Sequence, residues 1–527
     1  MRVVPCLADE ALVTSATRAD DADLRNTLPP FALRPVGAII GLVAVVLLVR
    51  ADRYDYFGDE LYFLSAGHRL SFGYVDQGPL LPLIARYMDW VATGSLVALR
   101  IPSIMAALLA IGTAAASARE FGGERFAQVL AALAYASCPF AITQSATLST
   151  FALDATLVSV LIWLTMRWIR IRNDRLLIAA AALVALDLQV KLLAPVLIAG
   201  IGIGVIVFGP RDLLRRPAVW FGAGLSVVTV LPGLVWQARH GWPQLAMGAT
   251  IRAEQQAATG AIAGLPMQFA MHTGIAGFLA LAGIWALIRH CALRPYLFIV
   301  VTVAVQAGFV LATGTRAYYV AGLLPVLFAA GAVWAQTRAF RRWAQATGTA
   351  LSALAATIAV AAVFLLPVSP TALDRPTNTQ SELSTRMRVS GTSGWSELAA
   401  AVDTAYHTVD LGERAYIVIV TQTYWQASAL DRLGGPDLPP IYSPNRGFAY
   451  FGQPSDTDYT ALYVAPETAE PVLRHTFSDV TSVARLDDRL GFPGIDREIV
   501  IWRCDHMIRP WAETWPQLIT NVLDPGI

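Results

Sequence analysis

Several charged residues of this chain sit where charge is costly. Lys191 is the only lysine among 527 residues, and it lies in "LDLQVKLLAP" between two apolar runs. An ammonium in such surroundings either snorkels to a membrane interface or neutralises a buried anion, such as a phosphate or a carboxylate. Asp154 opens another apolar run, "FALDATLVSVLIW". It is either a functional carboxylate or the structural partner of an arginine. Asp59 and Glu60 are adjacent in "YDYFGDELYF". They can favour a helix start through the helix dipole, or serve as general base or metal ligand.

Other segments offer donors and aromatic faces. Asp76 and Gln77 precede a Gly-Pro turn in "GYVDQGPL". Arg316, Tyr318 and Tyr319 lie in "GTRAYY", where Arg316 could grip a phosphate together with Lys191. Trp236, Gln237 and His240 in "LPGLVWQARHGWP" fit either an interfacial aromatic belt or a ligand groove. Fixed cations stabilise a departing phosphate, and a nearby carboxylate takes a proton from an attacking hydroxyl. There is no Gly-rich nucleotide cradle. Two or three of the carboxylates could hold a divalent metal, although the chemistry demands no cofactor.

These residues need a scaffold that tolerates charge among apolar groups. The chain is 55% hydrophobic and 15% charged, with mean hydropathy +0.52, against roughly a quarter charged in soluble proteins. Its apolar runs have membrane-spanning length. They predict a polytopic α-helical membrane protein with eleven spans near 34–50, 96–117, 126–143, 148–168, 176–189, 192–208, 218–236, 274–288, 295–312, 317–335 and 347–367. The four cysteines are far apart and show no metal or redox spacing. The near-neutral net charge, +1, argues against a nucleic-acid partner.

Arginine sets the orientation. The short connections around Arg119 and Arg125, Arg167–Arg175, Arg211–Arg216, Arg289 and Arg294, and Arg338–Arg342 are rich in it, which predicts a cytoplasmic face. The chemically suggestive segments then share the outer face, and the polar stretch 1–33 reads as a disordered cytosolic tail. The expected organisation is a transmembrane domain over 34–370 with a first outer loop at 51–95, a polar linker at 371–393, and an extracytoplasmic α/β domain over 394–527. In that domain, 394–408 and "TYWQASALDRLGG" read as helices; "RAYIVIVT", "TALYVAP" and "REIVIWRC" read as buried strands. Residues 508–527 read as a loosely packed tail. His407, His475 and His506 read as structural.

The ordered set "RYDYFGDELYF", "GYVDQGPLLPLIAR", "LRIPS", "LQVKLLAP", "LPGLVWQARHGWP", "TRAYYVAGLLP", "GWSELAAAVDTAY" and "YWQASALDRLGG" resembles one family. It is similar to the C-type-fold glycosyltransferases related to dolichyl-phosphate-mannose–protein mannosyltransferases and bacterial aminoarabinose–lipid A transferases, nearest an actinobacterial-type branch. The resemblance runs from about Tyr54 to Val464. It implies a polyprenyl-phosphate-linked sugar donor in the bacterial cytoplasmic membrane, and a protein, lipid or glycan acceptor outside the cytoplasm, with inversion at the anomeric carbon. It implies Asp59, with its neighbour Glu60, and Asp154 as catalytic carboxylates, and Lys191 as the holder of the lipid phosphate. The chain departs from the family in reading "QVKLL" for Asn-Lys-Tyr-Thr, "DQGPL" for Asp-Gln-Pro-Pro-Leu, and arginine at 316 where lysine is common. Two rival readings are a lipid or solute transporter or flippase, which would call for inverted repeats and broken midplane helices, and an inactive lipid-binding relative.

Overall fold

The computed structural model describes residues 28–337, scattered positions within 350–365, and 394–486 and 499–522. Among the described residues, six helices are long and apolar enough to cross a membrane, including Leu33–Arg50, Leu96–Glu120, Thr150–Ile171 and Pro217–Arg239, with Ala194–Val207 and Phe298–Thr313 as shorter apolar helices. Their outer surfaces are apolar: Trp220, Phe221, Val228 and Phe278 are each more than 60% exposed, which suits lipid. Inside the bundle, Ala110, Ala114 and Ala118 meet Ala127 and Ala131, the small-residue packing that lets helix backbones approach closely in a bilayer.

The spans depart from the expected limits where the backbone is interrupted. The run 126–143 splits into Arg125–Ala136 and Pro139–Gln144, since Pro139 lacks the N–H that would continue the first helix. The segment after Arg316 enters the membrane as a 3-10 turn, Ala317–Leu323, before the helix Leu324–Thr337. The expected span at 347–367 lies mostly outside the described residues.

The first outer loop folds into two helices, Gly58–His68 and Leu80–Val91. Nearly all residues of Gly58–His68 are buried. The outer domain covers the side that would otherwise meet water. Tyr56, Leu61, Tyr62 and Leu64 share one apolar core with Trp395, Leu398, Tyr424, Trp425 and Leu430. The Trp395 indole N–H donates to the Tyr56 carbonyl at 2.9 Å. Arg69–Asp431 and Arg432–Asp89, both at 2.7 Å, fasten the rim of this joint.

The outer domain is a five-stranded mixed sheet in the order β2-β1-β3-β5-β4, with β1 Ile417–Thr421, β2 Ile441–Tyr442, β3 Thr460–Pro466, β4 Phe477–Leu486 and β5 Ile499–Met507. β1 runs parallel to β2 and β3, while β5 is antiparallel to β3 and β4. The helices Trp395–His407 and Tyr424–Leu433 and the three apolar strands lie where expected. β4, mostly exposed, lacks the apolar run that marked the others. The end of the chain is better packed than expected: the helix Trp511–Leu518 buries Trp511 and Trp515 against the sheet.

Candidate active site

The site lies where the loop at 51–95, the adjoining ends of the apolar helices and the C-terminal domain meet. Asp59 is in the first turn of Gly58–His68. Its Oδ1 accepts from the Tyr424 hydroxyl at 2.6 Å and from the Trp425 indole N–H at 2.9 Å. The approach requires glycine beside it: a Cβ on Gly58 would stand 2.0 Å from the Trp425 ring.

Asp76 and Gln77 are carried by the "DQGPL" turn, which docks on the backbone before Lys191. The Gly78 N–H donates to the Val190 carbonyl at 3.1 Å, and the Leu80 N–H to the Gln189 carbonyl at 3.1 Å. A Cβ on Gly78 would lie 2.1 Å from the Gln189 oxygen. The glycine that departs from the family pattern is therefore what allows this contact. Asp76 lies within electrostatic reach of Asp59, Lys191 and Arg446. Burial, then the Asp59 charge, push its carboxyl above the ordinary carboxylate value, against the pull of the two cations. Asp76 Oδ1 and Gln77 Nε2 are buried and have no hydrogen-bond partner among the described residues.

Lys191 follows the helix Arg175–Asp187, in a break before Ala194–Val207. Its ammonium stands 3.9 Å from the Phe151 ring centroid and 5.2 Å from that of Tyr319, cation–π contacts that hold a charge without cancelling it. Tyr318, Arg316, Asp76 and Asp154 all act on it electrostatically. Asp154 is buried beside the Asp187 side chain. Arg316 donates to the Tyr318 hydroxyl at 2.6 Å and pairs with Glu254 at 3.2 Å.

The structure thus brings together Asp59, Asp76, Gln77, Asp154, Lys191, Arg316, Tyr318 and Tyr319. Glu60 turns away from them. It is fully buried, and its oxygens accept from Arg100 Nε and a terminal Arg100 nitrogen at 3.0 and 2.7 Å and from the Leu148 and Phe57 N–H groups at 2.8 and 2.9 Å. Gln237 is also buried, and its amide donates to the Tyr74 carbonyl at 2.7 Å. Trp236 stacks on His240 at 4.2 Å, with Tyr450 of the outer domain 5.7 Å from each.

Glu254, Arg446, Tyr424, Trp425 and Asp187 were not foreseen as site residues. Asp187 had a signal, a second charge in the same apolar stretch as Lys191. Tyr424 and Trp425 stood in a recognised segment, but nothing in it points to Asp59. Among the described residues, one group has the spacing to hold a metal: Asp403, His407 and Asp437, with ligand atoms within 4.8 Å of one another. It lies on the outer domain and shares no residue with this cluster. Beyond the Tyr62–Phe451 stack, at 5.8 Å, a cleft of about 440 Å³ is lined by Arg69, Asp431, Tyr442, Phe448 and Phe451.

Residues 76–236 match the family model described as dolichyl-phosphate-mannose-protein mannosyltransferase. The stretch begins at Asp76, ends at Trp236, and contains Asp154 and Lys191. Over this stretch the chain is similar to these mannosyltransferases. The fold also has similar solved structures. It is similar to ArnT from Cupriavidus metallidurans bound to undecaprenyl phosphate, with TM-score 0.57, 16% identity, and 89% of this chain and 98% of that one covered. It is also similar to the apo state of that protein, with TM-score 0.60, 15% identity, and coverage of 89% and 97%. No curated protein matches the chain in a sequence search.

Proposed function

We propose that the chain transfers a sugar from a polyprenyl-phosphate donor to an acceptor hydroxyl at the outer face of a bacterial cytoplasmic membrane, with its N-terminus inside. The observation that carries this reading is the convergence of Lys191, Arg316 and the carboxylates Asp59, Asp76 and Asp154 at the ends of apolar helices. A cation without an internal carboxylate to cancel it suits a lipid phosphate. Among the described residues Lys191 makes no ion pair, so its charge remains available. The solved ArnT structure with undecaprenyl phosphate, on the same fold, supports a lipid-phosphate ligand.

In this mechanism Asp59 takes the proton of the acceptor hydroxyl as that oxygen bonds to the anomeric carbon. The bond from that carbon to the phosphate oxygen breaks on the opposite face, so the configuration inverts. The electron pair leaves with the polyprenyl phosphate, whose growing charge meets Lys191 and Arg316. Asp76 and Gln77 offer their unpaired atoms to sugar hydroxyls. Asp154 tunes and orients Lys191. Glu60 holds the loop that carries Asp59. Gln237 does the same for the irregular segment at Tyr74, and the Trp236–His240–Tyr450 stack borders the site. The acceptor is a protein, lipid or glycan reaching Asp59 from the outer-domain side.

The test is transfer of labelled sugar from synthetic polyprenyl-phosphate donors by the purified full chain. Transfer to an acceptor or to water supports the reading. Donor lipid carried across vesicles with no bond cleavage would replace it with the flippase reading.

A further inference from the structure

The outer domain brings its own cation to the same place. Arg446 sits on the turn after β2, with φ 46, a left-handed conformation unusual for a residue with a side chain. The chain end fixes it there: the Arg446 N–H donates to the Thr520 carbonyl at 2.8 Å, and Nε donates to the Asn521 carbonyl at 2.9 Å. Its guanidinium lies 5.5 Å from the Tyr424 ring, whose hydroxyl holds Asp59. The terminal edge of the guanidinium is left for Glu254, to which it is directly hydrogen-bonded. The other Glu254 oxygen takes Arg316. The Arg446 side chain is 11% exposed and that of Glu254 25%.

One carboxylate therefore bridges two guanidiniums that repel each other, and Lys191 adds a third cation near Arg316. In direct contact the two guanidiniums share one carboxylate, while Asp76 acts on Arg446 and Lys191 from further away. A phosphate presents oxygens to two arginine forks as a carboxylate does, and takes more charge. Resting on the lipid-phosphate reading, we infer that Arg446 and Arg316 together clamp the donor phosphate, and that Glu254 competes with it for both arginines and turns aside when the donor binds. The donor is a phosphodiester with one negative charge, and the departing polyprenyl phosphate is a monoester with up to two. The added cation thus acts most on the leaving group, and the outer domain couples phosphate binding to Asp59 through Tyr424.

The experiment is binding of undecaprenyl phosphate in detergent to the full chain, comparing wild type with Arg446→Gln, Arg446→Lys and Glu254→Gln. Unfolding temperature serves as the check on folding. Arg446→Gln should weaken binding at least tenfold, with Arg446→Lys between it and wild type. Glu254→Gln should tighten binding several-fold, because it removes the competitor. A structural salt bridge would have the opposite sign at Glu254, so weaker binding by Glu254→Gln overturns the inference even if the Arg446 variants fail to fold. Equal binding by a folded Arg446→Gln also overturns it. If wild type itself binds none of the lipid, the donor reading falls with it.

Discussion

Tyr424 donates its hydroxyl proton to Asp59 at 2.6 Å across 365 positions of chain. The contact ties the first outer loop to the outer domain at the carboxylate proposed as base. A hydrogen bond to a charged group contributes about 1.5–3 kcal/mol, which is roughly ten- to a hundredfold in rate if it orients that group in the transition state. Tyr424→Phe should lower kcat in this range while leaving donor affinity within twofold. An unchanged kcat would remove Tyr424 from the mechanism.

Gly78 is the second such joint. A methyl group there meets the Gln189 oxygen at 2.1 Å, so the backbone must yield. Overpacking of this kind costs about 1–3 kcal/mol. Gly78→Ala should cut transfer at least tenfold by displacing Asp76 from Lys191, with only a modest fall in unfolding temperature. Full activity would show that the two segments move independently.

Much of this was legible in the sequence, and for identifiable reasons. Lys191 and Asp154 stood out because charge among apolar residues is rare. The apolar strands and the helix Tyr424–Leu433 showed through their patterns. What could not be read is contact over long separations. Nothing local in "SPNRGFAY" says that Arg446 meets Glu254, and the burial of Gly58–His68 depends on a domain more than 300 residues away. The adjacent acidic pair also looks equivalent in sequence, whereas helical geometry sends Asp59 and Glu60 in different directions: one to Tyr424, the other to Arg100.

Glu60 should accordingly behave as a structural residue. Breaking a buried ion pair costs about 3–5 kcal/mol. Glu60→Gln should lower the unfolding temperature markedly, and the fraction that remains folded should keep a measurable kcat. Loss of all transfer with an unchanged unfolding temperature would make Glu60 a reacting group instead.

Asp431 gives the joint a dependence on pH. Burial raises its carboxyl, but the hydrogen bonds and charge of Arg69 outweigh this, and the net value is below the ordinary one. A depressed carboxylate contributes stability that is complete above its unfolded pKa, about 3.9, and is lost as pH falls through the folded value. The unfolding temperature of wild type should therefore drop below about pH 4, with a shallower drop for Asp431→Asn. Parallel curves would show that the Arg69 pair adds nothing to the docking of the outer domain.

The most direct measurement sets binding beside turnover: undecaprenyl phosphate affinity and labelled-sugar transfer by wild type, Asp59→Asn and Lys191→Ala. Wild type should bind and transfer. Asp59→Asn should bind as wild type does but transfer about 100- to 10,000-fold more slowly, the range for losing a general base, and Lys191→Ala should lose binding and transfer together. Transfer by Asp59→Asn at the wild-type rate, or binding by Lys191→Ala at the wild-type affinity, would contradict the roles given to these two residues and the mechanism built on them.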